Sequence, residues 1–128
     1  MSGELGAVVY AADLDRMVAF YEGALALEVE QAGDGFALLR CGDTVVTIVQ
    51  APPHVAATFE VADPPERREE NPVKLSFAVS SIDAVRRAAT SFGGAIDPPD
   101  SEWTFGSVRV CDGHDPEGTV IQVREAVR

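Results

Sequence analysis

Cysteine is nearly absent: Cys41 and Cys111 are the only two in 128 residues, and neither has a close Cys or His neighbour of the kind zinc sites use. Two cysteines cannot make a disulfide framework, so two reduced, half-buried thiols are expected. Positive charge is also scarce. With 10 Lys and Arg against 21 Asp and Glu, the net charge of −11 argues against a chain that must neutralise nucleic-acid phosphates or dock on anionic lipid. No apolar run is long enough to cross a bilayer, and Met1-Ser2-Gly3-Glu4 lacks the basic and apolar regions of a secretory signal. The expectation is a cytoplasmic protein without nucleic-acid or membrane partners. A glycine-rich phosphate loop and a nucleophile elbow are missing as well.

What the chain does have is one pattern written twice. Residues 5–12 (LGAVVYAA) suit a strand, and Asp13 or Asp15 then caps a helix whose apolar positions Met17, Val18, Phe20, Tyr21 and Leu25 recur at three-to-four spacing. A short strand near 27–31, a Gly33-Asp34-Gly35 turn, a strand at 36–41, a Gly42-Asp43 turn and a strand at 44–50 follow. The second half repeats the order: a strand at 73–79, a Ser80 or Ser81 cap, a helix to Phe92 and a Gly93-Gly94 stop. Short strands near 95–97 and 105–111, the Asp115-Pro116-Glu117-Gly118 turn and a last strand at 119–125 complete it. Pairing Val18 with Val85, Tyr21 with Ala88 and Leu25 with Phe92 gives a constant offset of 67 residues. Cys41-Gly42-Asp43 and Cys111-Asp112-Gly113 fall at similar places in the two halves, as a duplicated unit with a small indel gives.

The expected organisation is one α+β domain over 1–128, built from two βαβββ modules (about 5–50 and 72–126) and a linker at 51–71. That linker holds four of the eight prolines and the run Glu66-Arg67-Arg68-Glu69-Glu70, which suits a solvated surface crossing with room for an edge strand at 58–61.

Alternation along the strands separates two faces. Leu75, Phe77 and Val79 oppose Lys74, Ser76 and Ala78; Ile121 and Val123 oppose Val120, Gln122 and Arg124; Val46 and Ile48 oppose Val45, Thr47 and Val49. Two amphipathic helices need the greasier face, so they cover the outer side of curved mixed sheets. The other face then offers a concave ligand pocket lined by Tyr10, Thr47, Lys74, Ser76, Gln122 and Arg124, with Trp103 as a ring to stack on a planar ligand. The plain alternative is a face that is solvated or closed by a partner subunit. Lys74 is the oddest member, since a lysine in a pocket must be paired, bind an anion, lose its charge or snorkel to solvent. Asp112-Gly-His114-Asp115-Pro-Glu117 looks metal-like in composition, but Pro116 and Gly118 make β-turn chemistry and suit an exposed turn. His54, after a Pro-Pro pair, has no partner in sequence.

The stretch Tyr10-Ala-Ala-Asp-Leu-Asp-Arg-Met-Val-Ala-Phe-Tyr21 resembles the opening of the vicinal-oxygen-chelate superfamily of glyoxalases, bleomycin-resistance proteins and extradiol dioxygenases. Pro72-Val-Lys-Leu-Ser-Phe-Ala-Val-Ser-Ser-Ile-Asp-Ala-Val85, Phe92-Gly-Gly94, Arg109-Val-Cys-Asp-Gly-His-Asp-Pro-Glu-Gly118 and Gln122-Val-Arg-Glu125 are similar to its second module. Ala26 stands where the family commonly has glycine. The resemblance implies paired βαβββ modules, a homodimer, and in the enzymes a divalent metal held by His, Glu or Gln on four strands. Counting from the motifs puts those positions on Gly6, Thr47, Lys74 and Gln122. Glycine has no ligand atom, an ammonium repels a cation and threonine replaces a carboxylate poorly, so the expectation is no metal and no cofactor. The leading expectation is a metal-free protein that binds a small organic molecule, such as a natural product or antibiotic, for sequestration, with no catalytic residue assigned. The alternative is a lyase, isomerase or dioxygenase using a divalent metal or Lys74 as acid or base. A third reading, from another class, is an association module with a vestigial pocket.

Overall fold

The computed structural model describes residues 5–127. The first module contains β1 (Leu5–Ala11), α1 (Leu14–Gly23), β2 (Glu28–Gly33), β3 (Phe36–Cys41) and β4 (Thr44–Gln50). A four-residue helix, α2 (Pro53–Ala56), follows. The second module contains β5 (Leu75–Ala78), α3 (Ile82–Ala89), β6 (Ala95–Ile96), β7 (Trp103–Phe105), β8 (Val108–His114) and β9 (Val120–Ala126). One sheet has the order β1-β4-β3-β2; the other has β5-β9-β8-β6, with β7 also paired to β8. In each, the first strand of the module runs parallel to the last and the remaining pairs are antiparallel. This is the α+β architecture of duplicated βαβββ units.

Both helices begin where the sequence supplies a cap. Asp13 accepts a hydrogen bond from the Arg16 N–H, and Ser81 accepts one from the Ala84 N–H, which satisfies donors that an uncapped first turn leaves unpaired. The caps stand 68 positions apart, as do the buried pairs Met17/Val85 and Tyr21/Ala89, so the repeat offset is 68 rather than 67. Met17, Phe20 and Tyr21 of α1 and Ile82, Val85 and Ala89 of α3 share one core with Leu39, Val46, Ile48, Phe77, Ile121 and Val123. These strand residues are the apolar set of the alternation, so the helices do cover that face.

Several local expectations need correction. First, Thr58–Val61 forms no strand; the Phe59 ring instead sits under the Arg68 guanidinium, 5.0 Å from its centroid. Second, the charge run is only partly solvated: Glu66, Glu69 and Glu70 are exposed, but Arg67 pairs with Asp97, and the Arg68 N–H donates to the Gly118 carbonyl at 2.9 Å. Third, Cys111-Asp112-Gly113 lies inside β8, so the counterpart of the Gly42-Asp43 turn is the turn between β8 and β9. The strand expected at 105–111 is a hairpin, β7 and β8, turning at Gly106 with φ +59°. Fourth, the Asp115-Pro116-Glu117-Gly118 turn is buried throughout, with Asp115 at 0% and Glu117 at 2% exposure.

That last turn joins the modules. The Glu117 carboxylate accepts the Ala12 and Asp13 N–H groups at 2.9 and 2.8 Å, placing an anion at the start of α1. One Asp115 oxygen accepts the Glu117 and Thr119 N–H groups, and the other accepts the buried Tyr21 hydroxyl at 2.8 Å. Burial raises the Asp115 carboxyl above the usual range, opposed by these donors and reinforced by the nearby Glu117 charge. Burial and the Asp115 charge likewise hold the Tyr21 hydroxyl well above the ordinary tyrosine value. Gly118, at φ +83°, lies so close to the Glu66 carbonyl that a β-carbon there would clash.

Candidate functional site

Cross-strand partners lie side by side on one face, so the register builds each open face row by row. On the first sheet, Val8, Thr47 and Leu38 form one row and Tyr10, Val49 and Phe36 the next. Thr47 therefore lies between two aliphatic side chains on a mostly apolar surface. On the second sheet, Ser76, Gln122 and Asp112 form one row, and Ala78, Arg124, Val110 and Trp103 form the next. On the first sheet the polar side chains of this face, Arg40, Glu28 and Gln31, lie toward the β2–β3 side, whereas on the second they surround Gln122 at its centre.

The polar groups of that face bind one another. Lys74, immediately before β5, contacts both Asp112 oxygens at 3.0 Å and stands 5.9 Å from the Trp103 ring centroid. Ser76 donates its hydroxyl to Gln122 Oε1 at 2.7 Å. Arg124 Nη1 donates to the Ser76 carbonyl and hydroxyl oxygens at 2.8 and 2.9 Å. Among the described residues no carboxylate lies within ion-pair distance of Arg124. Lys74 is thus neutralised, and Arg124 is the cation of this face left without a counter-ion. Beside it, Trp103, Phe105, Val108, Val110, Gln122 and Arg124 line a cavity of ≈ 420 Å³.

The seven expected pocket residues do not converge. Trp103, Gln122 and Arg124 share the cavity just described, with Ser76 bound to both polar members. Tyr10 lines a different cavity, between β1 and the start of β5, and no residue lines both. Sequence reasoning missed Asp112, because its Cys-Asp-Gly context suggested a turn; the alternation of β8 itself, placing Val108, Val110 and Asp112 on one face, was the available signal. His54 is exposed at α2 and His114 contacts the Asp115 carbonyl, so neither enters the cavity. Cys111 is buried, where desolvation raises its thiol, while Cys41 is half-buried.

Glycine at 6, a hydroxyl at 47, an ion-paired ammonium at 74 and an amide at 122 do not make a donor set for a divalent cation. Among the described residues no group of three His, Cys, Asp or Glu side chains is close enough to hold one.

Duplicated βαβββ modules, helices over one sheet face and an open opposite face define the vicinal-oxygen-chelate class. Within it, the chain belongs to the glyoxalase-like domain family, whose model matches residues 6–124. No protein of curated function matches the sequence. Among solved structures, a glyoxalase/bleomycin resistance protein from Albidiferax ferrireducens T118 is 21% identical, with 97% of this chain and 98% of that chain covered and a TM-score of 0.68. The fosfomycin resistance protein FosX of Listeria monocytogenes, solved with Mn(II) and sulfate, is 14% identical, covering 99% of this chain and 92% of that one at a TM-score of 0.67. A glyoxalase/bleomycin resistance protein/dioxygenase family enzyme from Burkholderia phytofirmans PsJN is 16% identical, covering 95% and 97% at 0.67. At these identities the likeness is one of fold.

Proposed function

We propose that this is a metal-independent binding protein of the glyoxalase/bleomycin-resistance type that sequesters a small planar organic anion on the open face of its second sheet. The observation that carries this reading is Arg124: a guanidinium fixed by Ser76, without a carboxylate partner among the described residues, beside an aromatic and aliphatic cavity. A charge-assisted hydrogen bond to Arg124 supplies orientation, and Trp103 and Phe105 supply area for a flat ring. An ammonium that bridges both oxygens of Asp112 offers no lone pair, which disfavours Lys74 as a base. The protein acts as a cytoplasmic homodimer. Val8 at 64%, Tyr10 at 45% and Phe105 at 74% exposure put large apolar side chains on the open faces, as surfaces covered by a second copy do.

The test is elemental analysis of purified protein before and after incubation with Ni, Co, Fe and Zn, followed by calorimetric titration with aromatic carboxylates. The proposal expects no stoichiometric metal and saturable binding that Arg124→Gln weakens about tenfold or more. Stoichiometric metal, or binding indifferent to Arg124, sinks it and favours a metal-dependent enzyme.

A further inference from the structure

A second cavity, of ≈ 510 Å³, opens between the edge strands β1 and β5 under the linker. None of Gly6, Thr47, Lys74 or Gln122 lines it, and it shares no lining residue with the cavity beside Arg124. Its walls are mainly aliphatic, from Val8, Val55, Val73 and Leu75, with Tyr10 at one side. One cation stands among them, Arg68.

The setting of Arg68 is unusual for a guanidinium in so acidic a chain. Its backbone N–H is fixed to the Gly118 carbonyl, its Nη2 donates to Thr119 Oγ1 at 3.0 Å, and its plane lies over the Phe59 ring. These contacts preorganise the side chain. Its Nε, however, is buried with no acceptor, and among the described residues no carboxylate lies within ion-pair distance of it. Glu70, which is exposed and also lines the cavity, stays beyond that distance. Among the described residues this guanidinium is left unpaired and one of its donors unsatisfied, although an unsatisfied buried donor is costly.

We infer that this cavity is a second ligand site, taking a small aliphatic carboxylate whose anionic head binds Arg68 and whose chain lies between β1 and β5. The head supplies the guanidinium with a counter-ion, and aliphatic walls suit a saturated chain better than a flat ring. The site does not depend on the binding function assigned to the second sheet.

Octanoate is the probe and octan-1-ol its uncharged control, followed by calorimetry and by amide shifts in ¹⁵N-labelled full-length protein. The expected result is saturable octanoate binding with shifts centred on Tyr10, Arg68 and Val73, and octanol weaker by about tenfold or more. Arg68→Gln should weaken octanoate by a similar factor, and Trp103→Ala should leave it unchanged. Val73→Phe, which fills the cavity from an exposed wall position without touching the linker contacts, should abolish binding and decides the matter should Arg68→Gln fold poorly. Absence of saturation, equal binding of octanol, indifference to Val73→Phe, or loss in Trp103→Ala with shifts on the second sheet would each overturn the inference.

Discussion

Ala26 and Asp115 show what single residues cost and contribute. Ala26 is held at φ +58°, a region where a β-carbon is strained and which glycine occupies freely. Ala26→Gly should therefore raise stability by about 0.5–1 kcal/mol, the relief of strain being partly offset by the entropy glycine adds to the unfolded chain; urea denaturation measures it. Asp115 titrates higher in the folded protein than in the unfolded chain, chiefly through burial, so the folded state holds that proton more tightly. Stability should then decline as pH rises from the ordinary carboxyl range through the raised folded value, and stay lower above it. Tyr21→Phe removes one donor that opposes the shift. It should cost about 1–3 kcal/mol near neutral pH and steepen that decline in urea midpoints taken across the acid range. The same variant should lack the loss of stability that wild type shows as pH rises past the ordinary tyrosine range, because Tyr21 is raised and must stay neutral when folded.

At the level of elements, each helix start is held by the end of its own module as well as by its cap. The Leu14 N–H donates to Gln50 at the end of β4, and the Ile82 N–H donates to Glu125 near the end of β9, so both modules solve the same capping problem in the same way. Glu117 adds a charge-assisted link from the second module to α1, and Glu117→Ala should cost about 2–3 kcal/mol in chemical denaturation. Most strands, the two long helices and their caps to within a residue or two were legible in the sequence, because alternation and three-to-four periodicity are local signals. The buried turn was not. Its polar residues have the composition of an exposed loop, and the donors that satisfy Glu117 lie more than 100 positions away in sequence. Helix α2 was likewise missed, although Pro53 in its first turn is a helix-start signal. The failed strand at 58–61 has a similar cause, since Arg68, brought in by the linker, takes the Phe59 ring that a strand would have used.

Across the whole molecule, the duplicated fold was legible and the convergence of the site was not. Alternation correctly put Lys74, Ser76, Gln122 and Arg124 on the open face, but it could not reveal that Asp112 neutralises Lys74 or that Tyr10 faces another cavity. Which charges remain unpaired depends on cross-strand register, a property of the assembled sheet. Open faces this apolar should bury themselves, so light scattering at micromolar concentration should give twice the 13.6 kDa chain mass; a monomer there would count against the homodimer. Trp103 is the sole tryptophan and lines the proposed anion site, so its fluorescence reports on that site directly. The decisive measurement is a titration of that fluorescence with aromatic carboxylates in the presence of EDTA. The account predicts a saturable change, unaffected by the chelator and weakened in Arg124→Gln. A flat response, or one that appears only when a divalent metal is restored, contradicts it.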